Sequence, residues 1–126
     1  MDKKKILIIE DDDFFRQMIS KKLQKDFEAG SARDSKEAFA YLETSLPDLI
    51  ILDLILPGLD GFEILSIIKK DKKTAGIPVI VLSNLGQAEE IERAKSLGAS
   101  DFLVKINFTV EEILAKIKGI FKERYL

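Results

Sequence analysis

Charged residues that suit a metal ion and a phosphoryl group stand directly after short apolar runs in this chain. Glu10 and Asp11 follow one run, Asp53 follows a second, and Lys105 follows a third. If these runs are parallel strands of one sheet, their carboxyl ends meet at one edge. Two carboxylates about 5 Å apart repel by roughly 3 kcal/mol at an effective dielectric near 20, so such a cluster favours a cation. Carboxylates, a backbone carbonyl, waters and a phosphoryl oxygen are the usual ligands of Mg²⁺.

Alternating strand and helix signals supply the elements that would position these side chains. An uninterrupted run of Ile and Leu is typical of a strand in a parallel sheet that is covered on both faces. We predict strands over residues 5–10, 27–32, 49–52, 79–82 and 101–105. Helices are predicted to begin near Asp13, Asp34, Asp60, Gln87 and Thr109. This alternation predicts an α/β fold, a five-stranded parallel doubly wound (flavodoxin-like) sheet, (βα)5, with helices on both faces.

Helix-capping patterns mark three of the predicted helix starts. Each pairs an acid or a hydroxyl with a glutamate three positions later. The pairs are Asp34 with Glu37, Asp60 with Glu63, and Thr109 with Glu112. We assign these residues to capping rather than to chemistry, and we assign Asp12 and Asp13 to first-turn helix charges. Gly98 is predicted to end the fourth helix.

Length and composition exclude several classes of function. A chain of 126 residues is the size of one domain. The chain has no cysteine and no histidine, so a metal must be held by oxygen and the chain cannot carry a phosphohistidine. The net charge of −2 supplies no strong basic field, so we expect no direct binding to nucleic acid or membrane. Without an export signal or an apolar run of about 20 residues, the cytoplasm is the expected location.

We expect residues 1–126 to form one domain with no effector domain attached. The last helix is predicted to run almost to Leu126. No repeat, low-complexity tract or proline-rich linker divides the chain. The chain is therefore expected to be either a stand-alone module or a protein cut at a domain edge.

Four motifs in order resemble the receiver domain of two-component response regulators. They are ILIIEDD at 6–12, PDLIILD at 47–53 with LPGLDG at 56–61, VLS at 81–83, and GASDFLVK at 98–105. Each motif alone is moderately specific, and the four together are highly specific and span nearly the whole chain. The chain thus resembles a phosphoacceptor domain of the stand-alone chemotaxis-regulator type.

The resemblance implies a role for each matching acidic residue. Asp53 would be the nucleophile that accepts a phosphoryl group as an acyl phosphate. Asp11 would bind Mg²⁺ directly and Glu10 partly through water, and Asp53 and the main-chain carbonyl of Ile55 would complete the protein ligands. The donor implied is a histidine kinase or a phosphotransfer protein, with small acyl phosphates as possible substitutes.

The resemblance also implies the residues of a switch. Ser83 would hydrogen-bond one phosphoryl oxygen, and Lys105 would pair with another. The rotamer of Phe102 would follow the movement of Ser83. Phosphorylation would then change the face made by the fourth helix, fifth strand and fifth helix, which would bind a downstream protein or mediate self-association.

Some positions depart from the family pattern. Ile106 stands where a proline after a cis bond is common. Because a non-proline cis bond costs about 2.5 to 4 kcal/mol, we predict a trans Lys105–Ile106 bond and a shifted loop. Ile55 and Leu85 are apolar where the family tunes water attack, which predicts a long-lived phosphoryl group. Leu85, Ile106 and Phe108 are a candidate partner surface, and a purely structural role for them is equally open.

Two other functions remain open from the sequence. The first is a degenerate receiver that acts as a constitutive interaction module, since Ile106 and Asn84 are irregular for the family. The second is an aspartyl-nucleophile phosphatase, which also begins with an acid after a strand but expects a second Asp where this chain has Ile55. We therefore expect a signalling phosphoacceptor rather than an enzyme. The order of its motifs favours that reading.

Overall fold

The computed structural model describes the backbone of residues 3–125 and the side chains of residues 3–122. Within this part of the chain, strands and α-helices alternate. The strands are β1 (Lys5–Ile9), β2 (Glu28–Ala32), β3 (Leu49–Leu52), β4 (Val79–Ser83) and β5 (Asp101–Val104). The helices are α1 (Asp13–Leu23), α2 (Ser35–Thr44), α3 (Gly61–Lys70), α4 (Ala88–Ser96) and α5 (Val110–Tyr125). Leu126, near which the last helix was predicted to end, lies outside the described residues.

The described strands form one parallel sheet in the order β2-β1-β3-β4-β5. In its centre, Ile8 of β1 lies opposite Ile51 of β3, and Ile51 lies opposite Ile80 of β4. Strand order reverses direction at β1, so the connections from β1 and β3 leave toward opposite faces. The predicted doubly wound α/β fold is confirmed.

Helices cover both faces of the sheet, as the continuous apolar strands require. One face packs Ile6, Ile8 and Ile51 against α1 and α5. The other packs Leu7 and Ile50 against α2, α3 and α4. Because successive strand residues point to opposite faces, each central strand supplies apolar side chains to both layers.

The predicted helix caps are present. Asp34 and Asp60 accept hydrogen bonds from the backbone N–H three residues ahead, each at 2.9 Å. Thr109 and Glu112 form a reciprocal capping box, at 2.9 and 3.1 Å. The prediction for Asp12 was wrong in detail: it is the N-cap of α1 and not a first-turn residue, since its side chain accepts from the backbone of Phe15.

The end of β5 differs from the prediction. The strand stops at Val104, and a 3₁₀ turn (Lys105–Asn107) begins at the lysine that was predicted to be the last strand residue. The Lys105–Ile106 bond is trans, as predicted, since no peptide bond among the described residues is cis. Among the helices described, none combines the length and apolar character that a bilayer crossing requires.

Candidate functional site

The predicted acidic residues meet at the carboxyl edge of the sheet. Glu10 and Asp11 follow β1, and Asp53 follows the neighbouring strand β3. One carboxylate oxygen from each lies within 4.8 Å of the others. Glu10 and Asp53 are buried, with 3% and 6% of their surface exposed, whereas Asp11 faces solvent. The three carboxylates therefore form a cluster that is open on one side.

Lys105 approaches this cluster from the end of β5, the strand at one edge of the sheet. Its ammonium group donates to Glu10 Oε1 in a short hydrogen bond and lies 3.2 Å from Asp53 Oδ2. Lys105 directly follows β5, and β4 separates that strand from β3. The long side chain of Lys105 and the side chains of Asp53 and Glu10 together span that distance. The chain thus brings together Glu10, Asp11, Asp53 and Lys105 as the sequence predicted.

Burial controls the electrostatics of the cluster. The pKa of Glu10 is raised from its usual 4.5 to about 7, first because burial removes water and then because Asp53 is near, while the hydrogen bond from Lys105 opposes the rise. Burial also works against the charge of Lys105, but the hydrogen bond to Glu10 and the charge of Asp53 outweigh it, so the pKa of Lys105 is raised. The negative charge of the three carboxylates exceeds the positive charge that Lys105 supplies, and this excess favours an added cation.

The turn between β1 and α1 holds Glu10 in place. The backbone N–H of Asp12 donates to Glu10 Oε2 at 3.1 Å. The guanidinium of Arg16, itself buried, donates to the Glu10 carbonyl at 3.0 Å and is paired with Asp13. Sequence reasoning missed Arg16, because an arginine at the start of a helix gave no sign that it points back toward the strand.

Gly61 sets the backbone path beside Asp53. Its N–H donates to the Leu54 carbonyl at 2.9 Å. A Cβ at this position would collide with the Asp53 carbonyl oxygen and with Leu54 Cα. Glycine therefore lets the start of α3 approach the strand end that carries Asp53. The signal that could have found it is its place directly after the Asp60 cap.

Ile55 lies two residues beyond Asp53. Its N–H donates to Asp53 Oδ1 at 3.3 Å, and its side chain is 56% exposed. This hydrogen bond is long, so it holds the Asp53 carboxylate only weakly. The predicted ligand atom, the Ile55 carbonyl, belongs to this same short loop.

Ser83 is the last residue of β4 and Phe102 is the second residue of β5, and both lie inside the protein. Ser83 is fully buried and its Oγ accepts from the Leu85 N–H at 3.4 Å, a long hydrogen bond. Phe102 is 9% exposed and lies opposite Val81, two residues before Ser83. The two side chains predicted to switch are therefore on adjacent strands, with the aromatic ring packed inward.

The candidate partner surface is divided by the fold. Ile106 is 82% exposed. Leu85 packs partly against the cluster under α2, α3 and α4, whereas Phe108 packs against the cluster under α1 and α5. Only partial burial is found, so the hypothesis of a partner surface stays a prediction, with Ile106 as its most exposed member.

The fold and site define a doubly wound parallel α/β domain with acidic side chains and a lysine at the carboxyl edge of the sheet, the edge at which such domains bind ligands. The chain belongs to the response regulator receiver domain family, because the family model matches residues 6–118. This family serves two-component signalling. Its receiver domains are phosphorylated by histidine kinases and bind Mg²⁺ at an acidic pocket.

Two curated relatives are transcriptional regulators. The chain is 37% identical over 119 residues to the DNA-binding dual master transcriptional regulator RpaA of Synechocystis sp.. It is 33% identical over 120 residues to the phosphate regulon transcriptional regulatory protein PhoB of Escherichia coli. Each match covers 94% of this chain but 49% and 52% of those proteins. The chain thus spans about half the length of the curated relatives it matches.

Solved structures agree with the family assignment. The receiver domain of the Francisella response regulator 1452 superposes with a TM-score of 0.86 at 30% identity, covering 96% of this chain and 98% of that one. The Vibrio cholerae chemotaxis protein CheY4 also gives a TM-score of 0.86 at 30% identity, covering 93% of this chain and 98% of that one. These two neighbours share both the fold and nearly the full length of the described domain.

Proposed function

We propose that this chain accepts a phosphoryl group on Asp53 and changes its surface when it does so. The observation that carries the proposal is the pairing of Lys105 with both Asp53 and Glu10 beside the exposed carboxylate of Asp11. A nucleophilic carboxylate, an ammonium group and a cation-binding cluster are the groups that phosphoryl transfer requires.

The transfer forms one bond and breaks one. An Asp53 carboxylate oxygen forms a bond to phosphorus, and the bond between phosphorus and the donor atom breaks, with its electron pair leaving on the donor. With a phosphohistidine donor the broken bond is P–N, and the histidine must belong to another protein because this chain has none. Lys105, already 3.2 Å from Asp53 Oδ2, supports the negative charge on a transferred oxygen.

The acidic cluster fits Mg²⁺. Glu10, Asp11 and Asp53 present hard oxygen ligands within 4.8 Å of one another, and the Ile55 carbonyl is proposed as a further ligand. When bound, Mg²⁺ would neutralise charge on the phosphoryl oxygens. The open side at Asp11 leaves room for waters, which Mg²⁺ retains in most protein sites.

Ser83 and Phe102 are proposed to pass the signal on. The long hydrogen bond from Leu85 leaves the Ser83 hydroxyl weakly held, so a phosphoryl oxygen on Asp53 would compete for it. Movement of Ser83 would alter the packing of Phe102 on the adjacent strand. The surface that changes is formed by α4, β5 and α5, and it would bind a downstream protein or a second copy of the chain.

The test is phosphorylation with a small donor. We expect incubation with Mg²⁺ and acetyl phosphate to add one phosphoryl group by intact mass, and Asp53→Asn to add none. Beryllofluoride should shift resonances of α4 and β5 in the wild type and leave Asp53→Asn unchanged. An unmodified wild-type protein would contradict the proposal and favour a constitutive interaction module.

A second assay separates the proposal from a phosphatase. A phosphoacceptor modifies itself once, whereas an aspartyl phosphatase turns over many equivalents of a phosphoester. We expect no steady release of phosphate from p-nitrophenyl phosphate above the rate of the Asp53→Asn variant. Sustained Asp53-dependent turnover would contradict the phosphoacceptor role.

A further inference from the structure

The ring of Phe15 lies against Lys105. The Lys105 ammonium is 4.5 Å from the ring centroid, within the roughly 6 Å at which a ring face attracts a cation. Phe15 lies in the first turn of α1 and is half-buried against the cluster under α1 and α5. We propose that Phe15 is a positioning residue that holds the Lys105 ammonium at the Asp53 carboxylate, an inference that rests on the proposed function of Asp53.

Lys105 needs a positioning contact because its backbone does little to direct its stem. The residue opens a 3₁₀ turn, and the next side chain, Ile106, is 82% exposed. The turn closes through a 3.3 Å hydrogen bond from Phe108 N–H to the Lys105 carbonyl, which is long. The four-carbon stem of lysine is flexible, so the position of the ammonium depends on its contacts with Glu10, Asp53 and the Phe15 ring rather than on the turn.

An aromatic ring suits an ammonium that must change partners. The Lys105 ammonium carries three N–H donors and now contacts Glu10 and Asp53. When Asp53 becomes an acyl phosphate, one of these donors must turn toward a phosphoryl oxygen. A ring face attracts the charge without fixing a direction, so it keeps the ammonium close while its hydrogen bonds rearrange.

The cap of α1 ties Phe15 to the acidic cluster. Asp12 Oδ1 accepts from the Phe15 N–H at 3.0 Å, and the Asp12 N–H donates to Glu10 Oε2 at 3.1 Å. One residue thus links the backbone of Phe15 to the carboxylate that Lys105 contacts. The neighbouring Phe14 is 78% exposed and provides a matched control.

The first measurement is independent of phosphorylation. In magnesium-free protein, the ring current of Phe15 should shift the NMR signals of the Lys105 ε-methylene protons, assigned by their loss in Lys105→Ala. We expect Phe15→Leu to abolish the shift, and Phe15→Tyr and Phe14→Leu to retain it. An unchanged Lys105 signal in Phe15→Leu would overturn the proposal.

The second measurement is the initial rate of Asp53 phosphorylation by acetyl phosphate with Mg²⁺. Phe15→Leu should slow it by roughly 3- to 30-fold, the range expected for a partly to fully desolvated cation–π contact. Phe15→Tyr should restore most of the rate, and Phe14→Leu should stay within about twofold of wild type, since an exposed side chain contributes little. Phe15→Met repeats the test if the leucine variant unfolds at the assay temperature.

A double-mutant cycle with Lys105→Ala decides whether Phe15 acts through the lysine. We expect Phe15→Leu to have no further effect on the rate once Lys105 is absent. Equal slowing with and without Lys105 would overturn the proposal. If wild-type protein is not phosphorylated at all, the proposed function fails, and the ring-current measurement still supports or overturns the placement of Lys105 by Phe15.

Discussion

Glu10 and Glu37 each accept a hydrogen bond from a basic side chain, yet their pKa values move in opposite directions. Glu37 pairs with Arg33 at 2.8 Å on the surface, and this hydrogen bond lowers the pKa of Glu37 from 4.5 to about 2. Glu10 pairs with Lys105 at the buried edge of the sheet, and burial raises the pKa of Glu10 to about 7. Loss of water, and not the presence of a cation, therefore distinguishes the two sites.

The difference has a functional consequence. Water around the Arg33–Glu37 pair can satisfy either charge alone, so such a pair contributes little to stability. In the buried cluster, Glu10 and Asp53 crowd a space with little water to stabilise their charges. A cation or an incoming phosphoryl group therefore changes the energy of this cluster far more than it would change that of the surface pair.

Removing the basic partner should have the largest effect, and only in the buried cluster. We expect Lys105→Ala to slow Asp53 phosphorylation by acetyl phosphate about 100- to 1,000-fold, because it removes a charge aimed at the transferred oxygen. Arg33→Ala removes the cation of the surface pair and should leave the rate unchanged. Initial rates by intact mass would measure both. Equal rates in the two variants would show that Lys105 has no part in the transfer.

Adding a methyl group at Gly61 should destabilise the protein more than adding one at Gly30. At Gly61 a Cβ meets backbone atoms of Asp53 and Leu54, whereas at Gly30 it meets the ring of Tyr41. A side-chain ring can turn away but a strand backbone cannot, so Gly61→Ala should cost about 3 kcal/mol in free energy of unfolding and Gly30→Ala about 1 kcal/mol. Urea titration compares them. A smaller cost at Gly61 would contradict this account of the loop.

The N-caps of α1 and α2 offer a finer comparison. Asp12 and Asp34 each accept from a backbone N–H, at 3.0 and 2.9 Å. Replacing either with alanine should lower the free energy of unfolding by about 1 kcal/mol. Asp12→Ala should also slow phosphorylation, because the cap of α1 orients Phe15 beside Lys105, and Asp34→Ala should not. Similar phosphorylation rates in the two variants would count against a role for the α1 cap.

Titration should reveal the opposite pKa shifts of the two glutamates directly. In magnesium-free protein, carboxyl NMR signals should place the pKa of Glu37 near 2 and that of Glu10 near 7. A lowered pKa means that Glu37 contributes stability above pH 4.5 that is lost as pH falls through 2. A raised pKa means that the contribution of Glu10 is present below pH 4.5 and is lost as pH rises through 7. Shifts of the same sign would refute the role assigned to burial.

Much of the fold could be predicted because its signals are local. The apolar run from Leu49 to Leu52 and the capping pair Thr109–Glu112 each act within one turn or strand. The carboxyl end of a strand can also be predicted from its last apolar residue. This signal correctly predicted that Asp53 directly follows β3. The prediction was wrong at Lys105, where the apolar run continued the strand signal into a residue that starts a 3₁₀ turn.

The contacts that complete the site could not be predicted in this way. Phe15 follows the helical spacing of a core residue, and nothing in that spacing indicates that its ring meets Lys105. The inward turn of Arg16 and the close approach at Gly61 likewise depend on segments that are distant or differently oriented. The raised pKa of Glu10 arises from burial, which a residue type does not specify.

The amino-acid sequence alone determined which elements form and which charged side chains stand at their ends, because hydrophobic periodicity and helix capping depend only on residues a few positions apart. Tertiary structure decided that Lys105 would meet Glu10 across 95 positions and that water would be excluded around them. Electrostatic energy depends on distance and on the surrounding medium, and both are set only when separate strands pack into one sheet.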